Sequence, residues 1–115
     1  MKVRLKKASR RHPDLTAGNV YRVIGIEADD YRLLNDFGRP YLYPPELFEL
    51  VDPKRPREWQ SVVGEDGEEY AYPKLFGRPG FFEDYFDNDV RAVQALHTYL
   101  DRAHLPNRLK RAESA

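Results

Sequence analysis

Covalent catalysis by a side chain needs a hydroxyl or thiol beside a base, and this sequence offers little of either. Its serines are Ser9, Ser61 and Ser114, its threonines are Thr16 and Thr98, and it has no cysteine. None of the serines sits in a strand-to-helix elbow pattern. His12 falls in a loop, whereas His97 and His104 fall in one helical stretch. Seven residues of helix set those two about 10 Å apart, too far to chelate one ion together. Asp84, Asp87 and Asp89 carry hard-cation chemistry, but the glycine and distal glutamate of a calcium loop are missing. These residues point away from catalysis, a metal site and a cofactor.

Binding chemistry is better represented. Residues 65–89 hold eight acids and two bases, a net of −6. One reading is a solvated acidic face plus helix capping. The other is a docking surface for a protein with a basic surface, because Glu83 and Asp84 lie beside Phe81, Phe82, Tyr85 and Phe86. Aromatic rings supply contact area at low entropy cost, and carboxylates steer a cationic partner. On that reading the contact residues are Glu83, Asp84, Tyr85 and Asp87, with Trp59 and Tyr72 as neighbours. The termini carry the opposite charge. Residues 1–11 hold Lys2, Arg4, Lys6, Lys7, Arg10 and Arg11 with no acid, and Arg102, Arg108, Lys110 and Arg111 lie near the other end. That distribution fits either nucleic-acid binding or internal charge balance. A sequence pI of about 6.8 favours balance.

The elements that must position these groups are short. The chain has 115 residues, 19 basic and 19 acidic side chains, and 41% hydrophobic residues, which is one domain with a small core. Nine prolines and seven glycines favour strands and turns over a helical bundle. Eight Tyr, six Phe and Trp59 argue against disorder in the body of the chain. No apolar run approaches the roughly 20 residues of a membrane span, and no apolar stretch follows the basic N-terminus as a signal would require. The expectation is a soluble, cytoplasmic domain.

Alternation and β-branched residues predict strands at 2–6, 20–26, 31–34, 40–43 and 48–51, with a long loop over 8–18 and a helical turn at Pro44-Pro45-Glu46-Leu47. These make a barrel core over residues 1–52. Residues 53–80 read as a basic, proline-punctuated connector and an appended hairpin, Trp59 to Val63 and Glu68 to Tyr72 around Gly64-Glu65-Asp66-Gly67. Residues 81–105 read as the acidic-aromatic segment and a C-terminal helix over 89–105, capped by Asp87, Asn88 or Asp89 and stopped by Pro106. Val90, Val93, Leu96, Leu100 and Ala103 form its apolar stripe. Residues 106–115 read as a frayed tail. The fold class is mainly β with a C-terminal helix.

Three stretches resemble a known group: Leu15-Thr16-x-Gly18-x-x-Tyr21-x-Val23, Tyr31-Arg32-Leu33-Leu34-Asn35-Asp36-x-Gly38, and Tyr43-Pro44-x-x-Leu47-Phe48-Glu49-Leu50-Val51. They are similar to the SH3-like barrels of small bacterial proteins, some of which are immunity proteins of polymorphic toxin systems. Residues 80–87 resemble a tail segment in some of those proteins. The resemblance implies an SH3-like small barrel and a non-enzymatic role in binding another protein, as the antidote of a bacterial toxin. The alternative is an RNA- or DNA-associated barrel of the KOW or Tudor type that uses the basic N-terminal segment.

Overall fold

The computed structural model describes residues 1–102. Seven strands form one antiparallel system: β1 (Lys2–Leu5), β2 (Val20–Glu27), β3 (Asp30–Leu34), β4 (Pro40–Tyr43), β5 (Phe48–Asp52), β6 (Trp59–Val63) and β7 (Glu69–Pro73). Two helices follow, α1 (Phe81–Phe86) and α2 (Val90–Arg102). Each strand anticipated from alternation is present within a residue or two, and the proline pair before β5 makes a single 3₁₀ turn, Pro45–Leu47. The mainly β architecture with a C-terminal helix is therefore as expected.

Closure is not. The strands run in the order β4-β3-β2-β1-β5, and β4 and β5 at the two ends are not paired. The sheet curls around its core without a continuous hydrogen-bonded seam. The hairpin is also more than an appendage: β7 pairs with β2 at Ile26↔Ala71, beyond the stretch that β1 occupies. Ala71 thereby enters the same core as Val3, Leu5, Tyr21, Val23, Leu33, Tyr43 and Phe48.

β2 is the element on which the rest is organised. Its alternation sends Tyr21 and Val23 into this first core, and a register shift between Val23 and Gly25 then resets the phase. Ile24 faces a second core on the opposite side, and Ile26 returns to the first. Gly25 sits where the Tyr72 ring crosses the strand. A Cβ at that position would lie 2.0 Å from Tyr72 Cε1, so only glycine admits the ring.

The second core joins Ile24 and Tyr72 to Phe76, Phe81, Phe82 and Tyr85, and to Ala92, Leu96 and Leu100 of α2. The C-terminal helix thus packs on its own sheet. Asp89 caps it, its Oδ1 accepting from the N–H groups of Arg91 (2.9 Å) and Ala92 (3.1 Å). The buried stripe is Ala92, Leu96 and Leu100, whereas Val90 is 66% exposed. The expected stripe is therefore met at Leu96 and Leu100, with Val93 half-buried against the same core, and departs from the structure at Val90, whose place toward the core is taken by Ala92. His104, Ala103, Pro106 and the tail lie outside the described residues.

The long loop between β1 and β2 is fastened through polar groups. Asp14 Oδ2 accepts from the Tyr43 hydroxyl (2.6 Å) and Asn35 Nδ2 (3.1 Å), and Asp36 accepts from Thr16 Oγ1 (2.6 Å) and the Tyr21 hydroxyl (2.7 Å). Asn35 Oδ1 in turn accepts the N–H groups of Phe37 and Arg39, which shapes the β3–β4 turn. No helix among the described residues is long and apolar enough to cross a membrane.

Candidate functional site

An arginine inside the second core is the starting point. Arg32 lies on β3 and is 5% exposed. An unpaired buried guanidinium would be costly, and here every nitrogen has a partner. Nε donates to the Tyr72 hydroxyl (3.1 Å), Nη1 to the Pro40 carbonyl (2.8 Å) and Nη2 to Glu27 Oε1 (3.0 Å). The Tyr72 hydroxyl donates to the same Glu27 oxygen at 2.9 Å, which closes a triangle of three side chains. Burial pushes the Tyr72 hydroxyl far above the ordinary phenol range. Arg32 opposes that shift and Glu27 reinforces it, so the ring remains a donor at neutral pH.

Above this triangle opens a groove of about 860 Å³ between the β6–β7 hairpin and α1. Its walls are aromatic and apolar: Val62, Tyr70, Tyr72, Phe76, Phe81, Phe82 and Phe86 all contribute. The rim carries Glu27, Glu83 and Asp87. α1 is preceded by Gly80, whose φ of 80° belongs to the left-handed region, and that turn sets Phe81 and Phe82 inward and Glu83 outward. Two cations also border the groove, but both are engaged. Arg32 is paired with Glu27, and Arg78 is paired with Asp84 at 2.9 Å. Among the described residues, neither Glu83 nor Asp87 belongs to an ion pair. The groove is therefore an apolar trough with net negative potential at its edge.

Three residues anticipated for docking meet in this groove: Tyr72 in its wall, and Glu83 and Asp87 on its rim. The other three go elsewhere. Asp84 is tied to Arg78 outside the lining. Tyr85 is a correction: its ring is 2% exposed and packs beneath α1, so it shapes the second core and is not available for contact. Trp59 is half-buried and outside the groove: it lies at the far end of the hairpin opposite Pro73, packs against the first core, and has the Arg55 guanidinium 6.0 Å from its ring. Of the tyrosines on β4 and β7, Tyr43 and Tyr72 are buried while Tyr41 and Tyr70 stay 44% and 37% exposed.

Glu27, Arg32 and Val62 were not singled out by sequence reasoning. Arg32 and Glu27 meet Tyr72 across 40 and 45 residues of chain, a separation with no local signature. The one available signal was Gly25, a lone glycine inside a β-branched strand, which marks a close approach by something.

Among the described residues no serine, threonine or histidine lines the groove. Ser61 Oγ donates to Glu69 (2.8 Å), Ser9 Oγ accepts from the Arg11 N–H (3.2 Å), and the His12 ring meets Tyr43 edge-on at 5.5 Å. Among the described residues no three His or carboxylate side chains converge as a cation site. No protein-family model matches this chain, and neither the curated proteins nor the solved structures contain a match to it.

Proposed function

We propose that this chain is a non-enzymatic protein-binding module built on an SH3-like barrel, and that its groove receives a cation-bearing apolar segment of a partner. The observation that carries this reading is the pairing of an aromatic trough with the carboxylates of Glu83 and Asp87 on its rim, which belong to no ion pair among the described residues. Aromatic walls supply contact area, and rim charge sets encounter rate and register. Toxin neutralisation is the role that the resemblance of residues 15–51 implies: a small acidic surface occupying a basic one. The nucleic-acid reading draws less support. Within the basic N-terminal segment Arg4 is paired with Glu49, and Lys6 donates to the Glu46 carbonyl.

The test is an NMR titration of the ¹⁵N-labelled chain with capped nonapeptides that alternate Lys or Arg with Val or Thr. Shifts should centre on Val62, Tyr70, Phe82, Glu83 and Asp87. Glu83→Lys combined with Asp87→Lys should weaken binding at least tenfold, and the wild-type affinity should fall with added salt. Equal affinity of wild type and the double variant would defeat the proposal.

A further inference from the structure

The outer strand of the hairpin has one side unused. Among the described residues β6 pairs with β7 and with no other strand. Gly64 N–H donates to the Glu68 carbonyl at 2.8 Å, so bonded pairs recur at every second position back along the hairpin. Val62 and Gln60 are then bonded to Tyr70 and Tyr72, their partners in the register. The backbone N–H and C=O groups of Ser61 and Val63 point the opposite way, out of the sheet. Glu69, opposite Val63, confirms the phase: its backbone turns away from β6, the N–H to Asp29 Oδ1 and the carbonyl to the Asp29 N–H.

Natural edges are usually blunted by lysine, proline or a bulge. β6 reads Trp59-Gln60-Ser61-Val62-Val63, with none of these, and Val62 and Val63 are 62% and 69% exposed. The edge is also continuous with the groove, because Val62 is part of the groove wall. A strand laid along β6 would send alternate side chains to the Val62 face, over the groove, and the others to the Val63 face.

Resting on the binding reading above, we infer that the partner segment binds as an added β-strand along β6, with lysine or arginine at alternate positions reaching the acidic rim. Charge selects this occupant. Glu83 and Asp87 border the groove, and the exposed Glu65 and Asp66 lie in the turn directly after Val63. A second copy of β6 is a poorer fit, since its five residues bring no cation. The chain's own Lys2-Val3-Arg4-Leu5 has the right alternation but is already paired on both sides, by β2 and β5. Main-chain bonds would supply affinity, and alternate side chains would supply specificity.

The test uses the same nonapeptides in two further forms, each N-methylated on one of the two alternating sets of residues, so that the protein itself is unaltered. Added strands are bonded through one set alone. One methylated form should lose at least tenfold in affinity while the other keeps it, and the Ser61 and Val63 amides should gain at least tenfold protection from hydrogen exchange on saturation. If both methylated forms bind like the parent and those amides stay unprotected, strand addition is overturned while groove binding stands. If no peptide binds, the binding reading falls and this inference with it. Protection of Ser61 and Val63 that rises with protein concentration alone would overturn the proposal in favour of pairing between copies.

Discussion

The guanidinium carbon of Arg32 lies 3.9 Å from the centre of the Phe82 ring. That contact joins the sheet to α1, because Arg32 belongs to β3 and Phe82 to the helix that walls the groove. A stacked cation desolvated on one side contributes about 2 kcal/mol in favourable cases, and here the same group also satisfies Tyr72, Glu27 and the Pro40 carbonyl. Arg32→Ala should therefore destabilise the fold by about 3 kcal/mol, since it strands its buried partners. Arg32→Lys should recover only part of the loss, because an ammonium cannot reproduce the planar fork or the stacking. Urea denaturation of the three proteins checks both statements.

The phase of α2 is tested by two alanines. Leu96 is fully buried in the second core and Val90 is 66% exposed. Leu96→Ala should cost about 2–5 kcal/mol, whereas Val90→Ala should change stability by less than about 0.5 kcal/mol. The stripe expected from spacing alone, which included Val90, would make both costly. Thermal unfolding followed by circular dichroism separates the two patterns.

The hairpin between β2 and β3 stores strain. Its two loop residues, Ala28 and Asp29, have φ of 48° and 70°, the pattern of a type I′ turn that favours asparagine and glycine. Alanine there pays the steric penalty of the left-handed region. Ala28→Gly and Ala28→Asn should each stabilise the chain by about 0.5–1 kcal/mol. Thermal unfolding of the three proteins checks both values.

Two carboxylates give opposite pH signatures. The bidentate Arg55 contact (2.6 and 2.8 Å) holds the Glu69 carboxyl below its ordinary value, against partial burial, with Ser61 assisting. Its stabilisation is present above the unfolded pKa, near 4.3, and is lost as pH falls through the lower folded value. Asp30 behaves in the reverse sense. Burial, then the nearby Glu46, Asp29 and Glu27, raise its pKa, so its contribution is favourable in acid and is lost as pH rises through the folded value. Asp30→Asn should stabilise the protein at pH 7, with the advantage vanishing below about pH 4. Glu69→Gln should destabilise at pH 7 and converge with wild type in acid. Denaturation midpoints at several pH values read out both.

Local signals carried most of the secondary structure. A β-branched run marked β2, the Asn35-Asp36-Phe37-Gly38 turn marked the hairpin that joins β3 to β4, and proline marked the 3₁₀ turn, because each depends on residues within a few positions. The groove was half legible. Glu83, Asp87 and Tyr72 stood out through charge and aromatic content, whereas Tyr85 has the same residue character and is turned into the second core, and Trp59 packs half-buried against the first. Side-chain type says little about which face of a short helix points inward when a left-handed glycine just before it sets the direction. The open ends of the sheet were equally invisible, since whether β4 meets β5 depends on twist and curl over the whole array.

The division of labour along β2 has a thermodynamic corollary. Tyr21, Val23 and Ile26 serve one core while Ile24 serves the other, and a single eight-residue strand cannot be intact on one side and melted on the other. The two halves of the molecule are thus obliged to come apart together, and heating should give one calorimetric peak with neither layer surviving the loss of its neighbour.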